Sequence, residues 1–94
     1  MRVHVVVPSV LRADCGGAAR LVVELTGDPT LGGLMAELAA HYPRLERRLR
    51  DEKGALRRYV NVYVDGTESR HQDGLRTALR DGVEVHIVPS VAGG

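Results

Sequence analysis

Ninety-four residues suffice for one domain around one core and are too few for two. Apolar residues make up 44% and charged residues 27%, with a net charge of +1, which leaves no strong field of either sign and argues against an intrinsically disordered chain or one that coats nucleic acid. No apolar run approaches the ~20 residues needed to cross a bilayer, no basic leader precedes a cleavage site, and the lone Cys15 has no internal disulfide partner, so a soluble cytoplasmic protein without a membrane partner is expected.

The first element is Arg2-Val3-His4-Val5-Val6-Val7, a β-branched run closed by Pro8 that predicts a strand. Arg12–Gly17 reads as a loop. Arg20–Gly27 predicts a second strand, ending in the turn residues Gly27-Asp28-Pro29. Thr30 fits an N-cap, after which Leu31, Leu34, Met35, Leu38 and Tyr42 recur along one face of a 3.6-residue helix. Gly32 and Gly33 would each cost ~1 kcal/mol in a helix interior. In the first turn the cost is smaller, and a close approach to the sheet would use them. Pro43 stops the helix, with Leu45 and Leu49 continuing as a second helical turn. Asp51–Ala55 is a loop. Tyr59-Val60-Asn61-Val62-Tyr63-Val64 alternates as a strand before the turn Asp65-Gly66. Past a polar loop, Leu75–Leu79 predicts a short helix or 3₁₀ segment. The last strand is Val83–Val88, opened by Asp81-Gly82 and closed by Pro89.

Aliphatic side chains must build the interior, because the chain has 14 Val and 11 Leu but no Phe, no Trp and three Tyr. Such a core favours strands. The order strand, strand, helix, strand, short helix, strand describes an α+β roll, a mixed sheet with one main helix packed across it. The ubiquitin-like β-grasp has this order. It would set the first and last strands side by side and parallel at the sheet centre, where dense valine belongs. The predicted core is Val3, Val5, Val7, Val60, Val62, Val64, Val85 and Ile87 packed against Leu34, Met35 and Leu38. Residues 1–89 would form the domain and residues 90–94 a flexible tail.

Catalytic motifs are scarce. There is no G-x-x-x-x-G-K-[ST] or G-x-G-x-x-G phosphate cradle and no H-E-x-x-H pair. His4, His41, His71 and His86 lack metal-ligand spacing, so no metal, no bound cofactor and no catalytic residue is assigned. Cys15 beside Gly16-Gly17 reads as an incidental loop cysteine rather than an exposed reactive thiol, since no acid or base is placed to activate it. Arg44, Arg47, Arg48, Arg50, Arg57 and Arg58 form a basic cluster, interrupted by Glu46, Asp51 and Glu52 and without stacking aromatics. A solvated face or protein-docking edge is expected there, and no nucleic acid.

The informative feature is the terminal run Ser90-Val91-Ala92-Gly93-Gly94. With glycine near 7% on average, two at a given end occur by chance in roughly 0.5% of chains, and in roughly a per cent or two for a chain this rich in glycine. Two glycines thread a narrow channel because no Cβ obstructs them, and they leave an unhindered carboxylate. That carboxylate is ionised at neutral pH and resists nucleophiles until it becomes a mixed anhydride. Adenylation by ATP would do this, and the phosphate-binding machinery would have to come from a partner enzyme.

The Tyr-Val-Asn-Val-Tyr-Val-Asp-Gly strand and turn, the Asp-Gly-Val-Glu-Val-His-Ile-Val-Pro last strand and the Val-Ala-Gly-Gly end together resemble the MoaD/ThiS sulfur-carrier family, most of all its CysO-type branch for cysteine biosynthesis. The resemblance spans essentially the whole chain. It implies adenylation of Gly94 by an E1-like adenylyltransferase using ATP and magnesium, conversion to a thiocarboxylate, and delivery of sulfur to a biosynthetic acceptor enzyme, with Val91, Ala92 and Gly93 threading into the partner. In the cysteine branch it further implies a PLP-dependent synthase using O-phosphoserine and a metalloprotease that releases cysteine. The alternatives are a ubiquitin-like modifier conjugated to lysines and a passive interaction domain.

Docking is expected on the sheet face away from the helix, where alternation presents His4, Val6, Tyr59, Tyr63, His86 and Val88. The competing expectation is that the Arg12–Gly17 loop covers this face.

Overall fold

The structure is a computed structural model that describes residues 1–90. Period-two alternation builds the sheet. In β1 (Arg2–Val6) Val3 and Val5 are fully buried, and in β2 (Arg20–Glu24) Leu21 and Val23 are buried while Arg20, Val22 and Glu24 are exposed. β3 (Val60–Val64) buries all three valines and β5 (Glu84–Pro89) buries Val85 and Ile87. A two-residue strand, β4 (Thr67–Glu68), completes a five-stranded sheet in the order β2-β1-β5-β3-β4.

β1 and β5 run parallel at the centre, with Val5 opposite Val85, and the other neighbours are antiparallel. A parallel pair cannot be joined by a tight turn, so the chain between them must cross a face of the sheet. Helix α1 (Leu31–His41) makes that crossing and buries Leu31, Leu34, Met35 and Leu38 completely. The valines and these helical residues form one cluster, each fully buried Val or Leu contributing ~1.5–3 kcal/mol of transfer free energy. The β-grasp expectation and its core therefore hold.

Thr30 caps α1, its Oγ1 accepting from Gly33 N at 3.1 Å. The close approach at Gly33 is to the chain's own entry turn: a Cβ there would collide with the carbonyl oxygen of Asp28. Pro43 both ends α1 and opens a separate helix, α2 (Pro43–Leu49), occupying its first position, where a missing N–H costs nothing. Leu45 and Leu49 are fully buried beneath it.

Three segments depart from expectation. Arg12–Gly17 is not a loop; a 3₁₀ helix runs Ser9–Cys15, buries Leu11 and Cys15 and packs on α2. Its Asp14 holds Arg44 at 3.7 Å and Arg48 at 3.3 Å. The polar loop after Asp65-Gly66 begins with the return strand β4, because both turn residues take positive φ (53° and 84°), the geometry of a two-residue hairpin. Leu75–Leu79 is only partly 3₁₀ (Gly74–Arg76); Thr77 and Ala78 then pair beside the start of α1, with Leu31 N donating to Thr77 O at 2.9 Å. No helix is long and apolar enough to cross a membrane.

Candidate functional site

The sheet face opposite the helices carries Arg20 and Val22 from β2, His4 and Val6 from β1, Glu84, His86 and Val88 from β5, and Asn61 and Tyr63 from β3. Val6 is opposite His86, and His86 is opposite Tyr63, so three of the expected docking residues form one row across three strands. Val88, 43% exposed, lies one step along β5. Tyr63, His86 and Val88 line an open depression of about 550 Å³ with Asp65, Gly66 and Glu84. His4 sits in the next row, opposite Glu84. Tyr59 lies one residue before β3, 54% exposed. The segment Ser9–Cys15 packs with the helices, so it does not cover this face.

Glu84 and Arg20 were not among the expected residues, yet they organise its charge. Glu84 Oε2 accepts from Arg20 Nη1 at 2.8 Å, and Oε1 lies 2.6 Å from His86 Nε2. Since β1 lies between β2 and β5, Arg20 reaches across roughly 9–10 Å of sheet to make this pair. The Arg20 guanidinium first, and the His86 hydrogen bond second, pull the Glu84 carboxyl down to about 2 from its ordinary 4.5. A depressed carboxylate pKa stabilises the fold fully above pH 4.5 and loses that gain as pH falls toward 2. Glu84→Gln should therefore lower the Tm modestly above pH 4.5, as befits an exposed pair, with the difference closing by pH 2. A Tm gap independent of pH would contradict this.

At the end of β5, Pro89 is opposite Val60, and Ser90 is fastened to β3: its N–H donates to Tyr59 O at 2.6 Å, and Asn61 Nδ2 donates to its Oγ at 3.1 Å. Arg70 orients Asn61 by donating to its Oδ1 at 3.1 Å, while also donating to Val60 O and Arg57 O. The first residue of the expected tail is thus held by the sheet. Val91, Ala92, Gly93 and Gly94 lie outside the described residues.

The basic cluster is largely internal wiring: besides Arg44 and Arg48 on Asp14, Arg50 pairs with Glu46 at 2.6 Å and Arg57 donates to Arg47 O. Cys15 is a core residue, 5% exposed, its Sγ 3.5 Å from Ala18 O, and burial pushes its thiol pKa up, away from reactivity. Among the described residues no group of three or more His, Cys, Asp or Glu is placed to hold a metal ion.

The sequence pattern of the ThiS family matches residues 13–94. The chain belongs to the ThiS/MoaD family of ubiquitin-like sulfur carriers. Sulfur carrier protein CysO of Mycobacterium tuberculosis is 43% identical over the full length of both chains. The Amycolatopsis orientalis BexX/CysO complex contains a chain that superposes with a TM-score of 0.83 at 34% identity, covering 98% of this chain and 99% of that one. Small archaeal modifier protein 3 of Haloferax volcanii is 45% identical over 67 residues, 71% of this chain and 72% of that protein. In this sulfur carrier Val88 of the sheet face lies one residue before Pro89, where β5 ends, and two before Ser90.

Proposed function

We propose that the carrier is charged at the Gly94 carboxylate, and that it acts as a protein co-substrate in the cytoplasm rather than as an enzyme. The observation that supports this most is the family match running through residue 94, where the chain reads Gly93-Gly94. A partner adenylyltransferase supplies ATP and magnesium. The carboxylate attacks the α-phosphate, pyrophosphate leaves, and the acyl adenylate then loses AMP to a sulfide-level nucleophile, leaving a thiocarboxylate. Val91, Ala92 and Gly93 thread the tail into the partner, because two residues without bulky side chains and one Val are a slim profile. An acceptor enzyme takes the sulfur. The cysteine branch, with its PLP-dependent synthase and metalloprotease, is favoured by the full-length similarity to CysO.

Incubation with an E1-like enzyme, ATP and a sulfide source should raise the mass by about 16 Da as one oxygen is exchanged for sulfur. Isopeptide-linked Gly-Gly on target lysines, with no such mass gain, would instead establish the modifier reading that the archaeal relative suggests. The row Val6, His86, Tyr63 and neighbouring Val88 is the proposed docking face, with Tyr59 at its rim and His4 beside it. Tyr63→Asp and Val88→Asp should each raise the KM for the carrier in adenylation by about tenfold or more, with unfolding midpoints little changed. Unaltered loading kinetics would remove the face from the interface.

A further inference from the structure

The two edges of the sheet are unlike. β4 is two residues long and runs directly into a 3₁₀ turn at Ser69–His71. β2 is a five-residue edge strand with no paired strand on its outer side among the described residues. Beside it, Val22, Val23, Glu24, Leu38, His41 and Tyr42 border a groove of about 300 Å³ between strand and α1.

Backbone alternation decides which β2 groups face outward. Val7 N donates to Ala19 O and Leu25 N donates to Met1 O, so with the observed register the residues bonded to β1 are Leu21 and Val23. Arg20, Val22 and Glu24 therefore direct their N–H and C=O groups away from the sheet. The same three side chains are exposed, and Val22, at 57%, is a bare apolar residue at the strand's centre.

We propose that β2 pairs antiparallel with β2 of a second copy of this chain about a two-fold axis at Val22. This register sets Val22 opposite Val22, and Arg20 opposite the partner copy's Glu24, twice by symmetry. It is also a register that brings outward-facing residues into hydrogen-bonded pairs throughout, giving two bonds per pair. Sliding by two residues puts Val22 opposite a charge and loses one pair. The strand Arg-Leu-Val-Val-Glu is thus self-complementary in charge when reversed. The existing ion pairs leave room: Arg20 contacts Glu84 through Nη1, and Glu24 contacts Arg2 through Oε1, whereas a guanidinium has five donors and a carboxylate two oxygens. The result is a continuous sheet across both copies, independent of the sulfur-carrier reading. Five-residue pairing buries little area, so the dimer is weak and forms at high concentration.

Sedimentation of the full chain from about 10 µM to 1 mM at low salt should show the mass rising toward twice the monomer. Arg20→Glu alone and Glu24→Arg alone should each remain monomeric, because like charges then face each other. Their 1:1 mixture should recover the dimer, as should the double charge-swap in one chain. Val22→Pro, which removes only an outward N–H, should abolish association while a thermal melt reports the fold intact. A monomer at 1 mM, or a dimer indifferent to the charge changes, would overturn the proposal. So would Val22→Pro altering only the binding of another protein's strand.

Discussion

Deleting Gly94 should abolish thiocarboxylate formation, a fall in loading of at least about 100-fold. The truncated chain still ends in a carboxylate on a glycine, so the loss comes from position rather than chemistry. Removing one residue withdraws the reacting carbon by up to ~3.5 Å along an extended tail. Attack on the α-phosphate needs reacting atoms ~3–3.5 Å apart, and a misplacement of about 1 Å already costs on the order of 100-fold. The core and the Ser90 clamp on Tyr59 and Asn61 all lie within residues 1–90, so the Tm should be unchanged. A mass gain of about 16 Da at the full-length rate would refute the assignment of Gly94.

Gly33→Ala should destabilise the fold by about 1–3 kcal/mol, read as a lowered urea midpoint. Helix propensity alone argues the opposite sign, since Ala exceeds Gly by ~1 kcal/mol within a helix. The structure reverses this because the new methyl meets the Asp28 carbonyl, a backbone atom that cannot rotate away. The Asp28–Thr30 turn is also held from several sides. Thr30 N donates to Asp28 O, Leu79 N to Pro29 O and Leu31 N to Thr77 O. Moving the turn would weaken the Thr30 cap as well. Gly32→Ala is the informative comparison: its nearest obstacle, Leu75 O, lies 3.1 Å away, so a cost within about 1 kcal/mol is expected. A more stable Gly33→Ala variant would show that the turn moves freely.

The strands and their core were legible because a sheet with one buried face writes its structure into the chain at period two. Val3, Val5, Val60, Val62 and Val85 occupy the expected interior. The helix over Leu31–His41 was legible for the same reason at its own period. Ser9–Cys15 was not: only Leu11 and Cys15 are buried there, too few for a repeat, and Gly16-Gly17 after them reads as loop. β4 was too short to have a pattern, although Asp65-Gly66 is the signal that a strand returns. On the open face, alternation located Val6, Tyr63, His86 and Val88. It said nothing of Arg20 and Glu84, whose contact joins residues 64 apart across an intervening strand and exists only once the strand order is known. Arg70 escaped notice because it comes from a turn. For Gly94 the sequence offered composition and family resemblance, not geometry.

The central position of β5 bears on how the molecule is made. β1 and β3 each pair with this strand and not with each other, so a nascent chain halted on the ribosome before Glu84 presents two valine-rich ribbons with a missing neighbour between them. It cannot close its interior, and such species are prone to aggregation and to degradation. Foldability therefore reports on whether synthesis has reached the segment leading to the glycines. Proteolytic surveillance of unfolded chains would remove such prematurely terminated products.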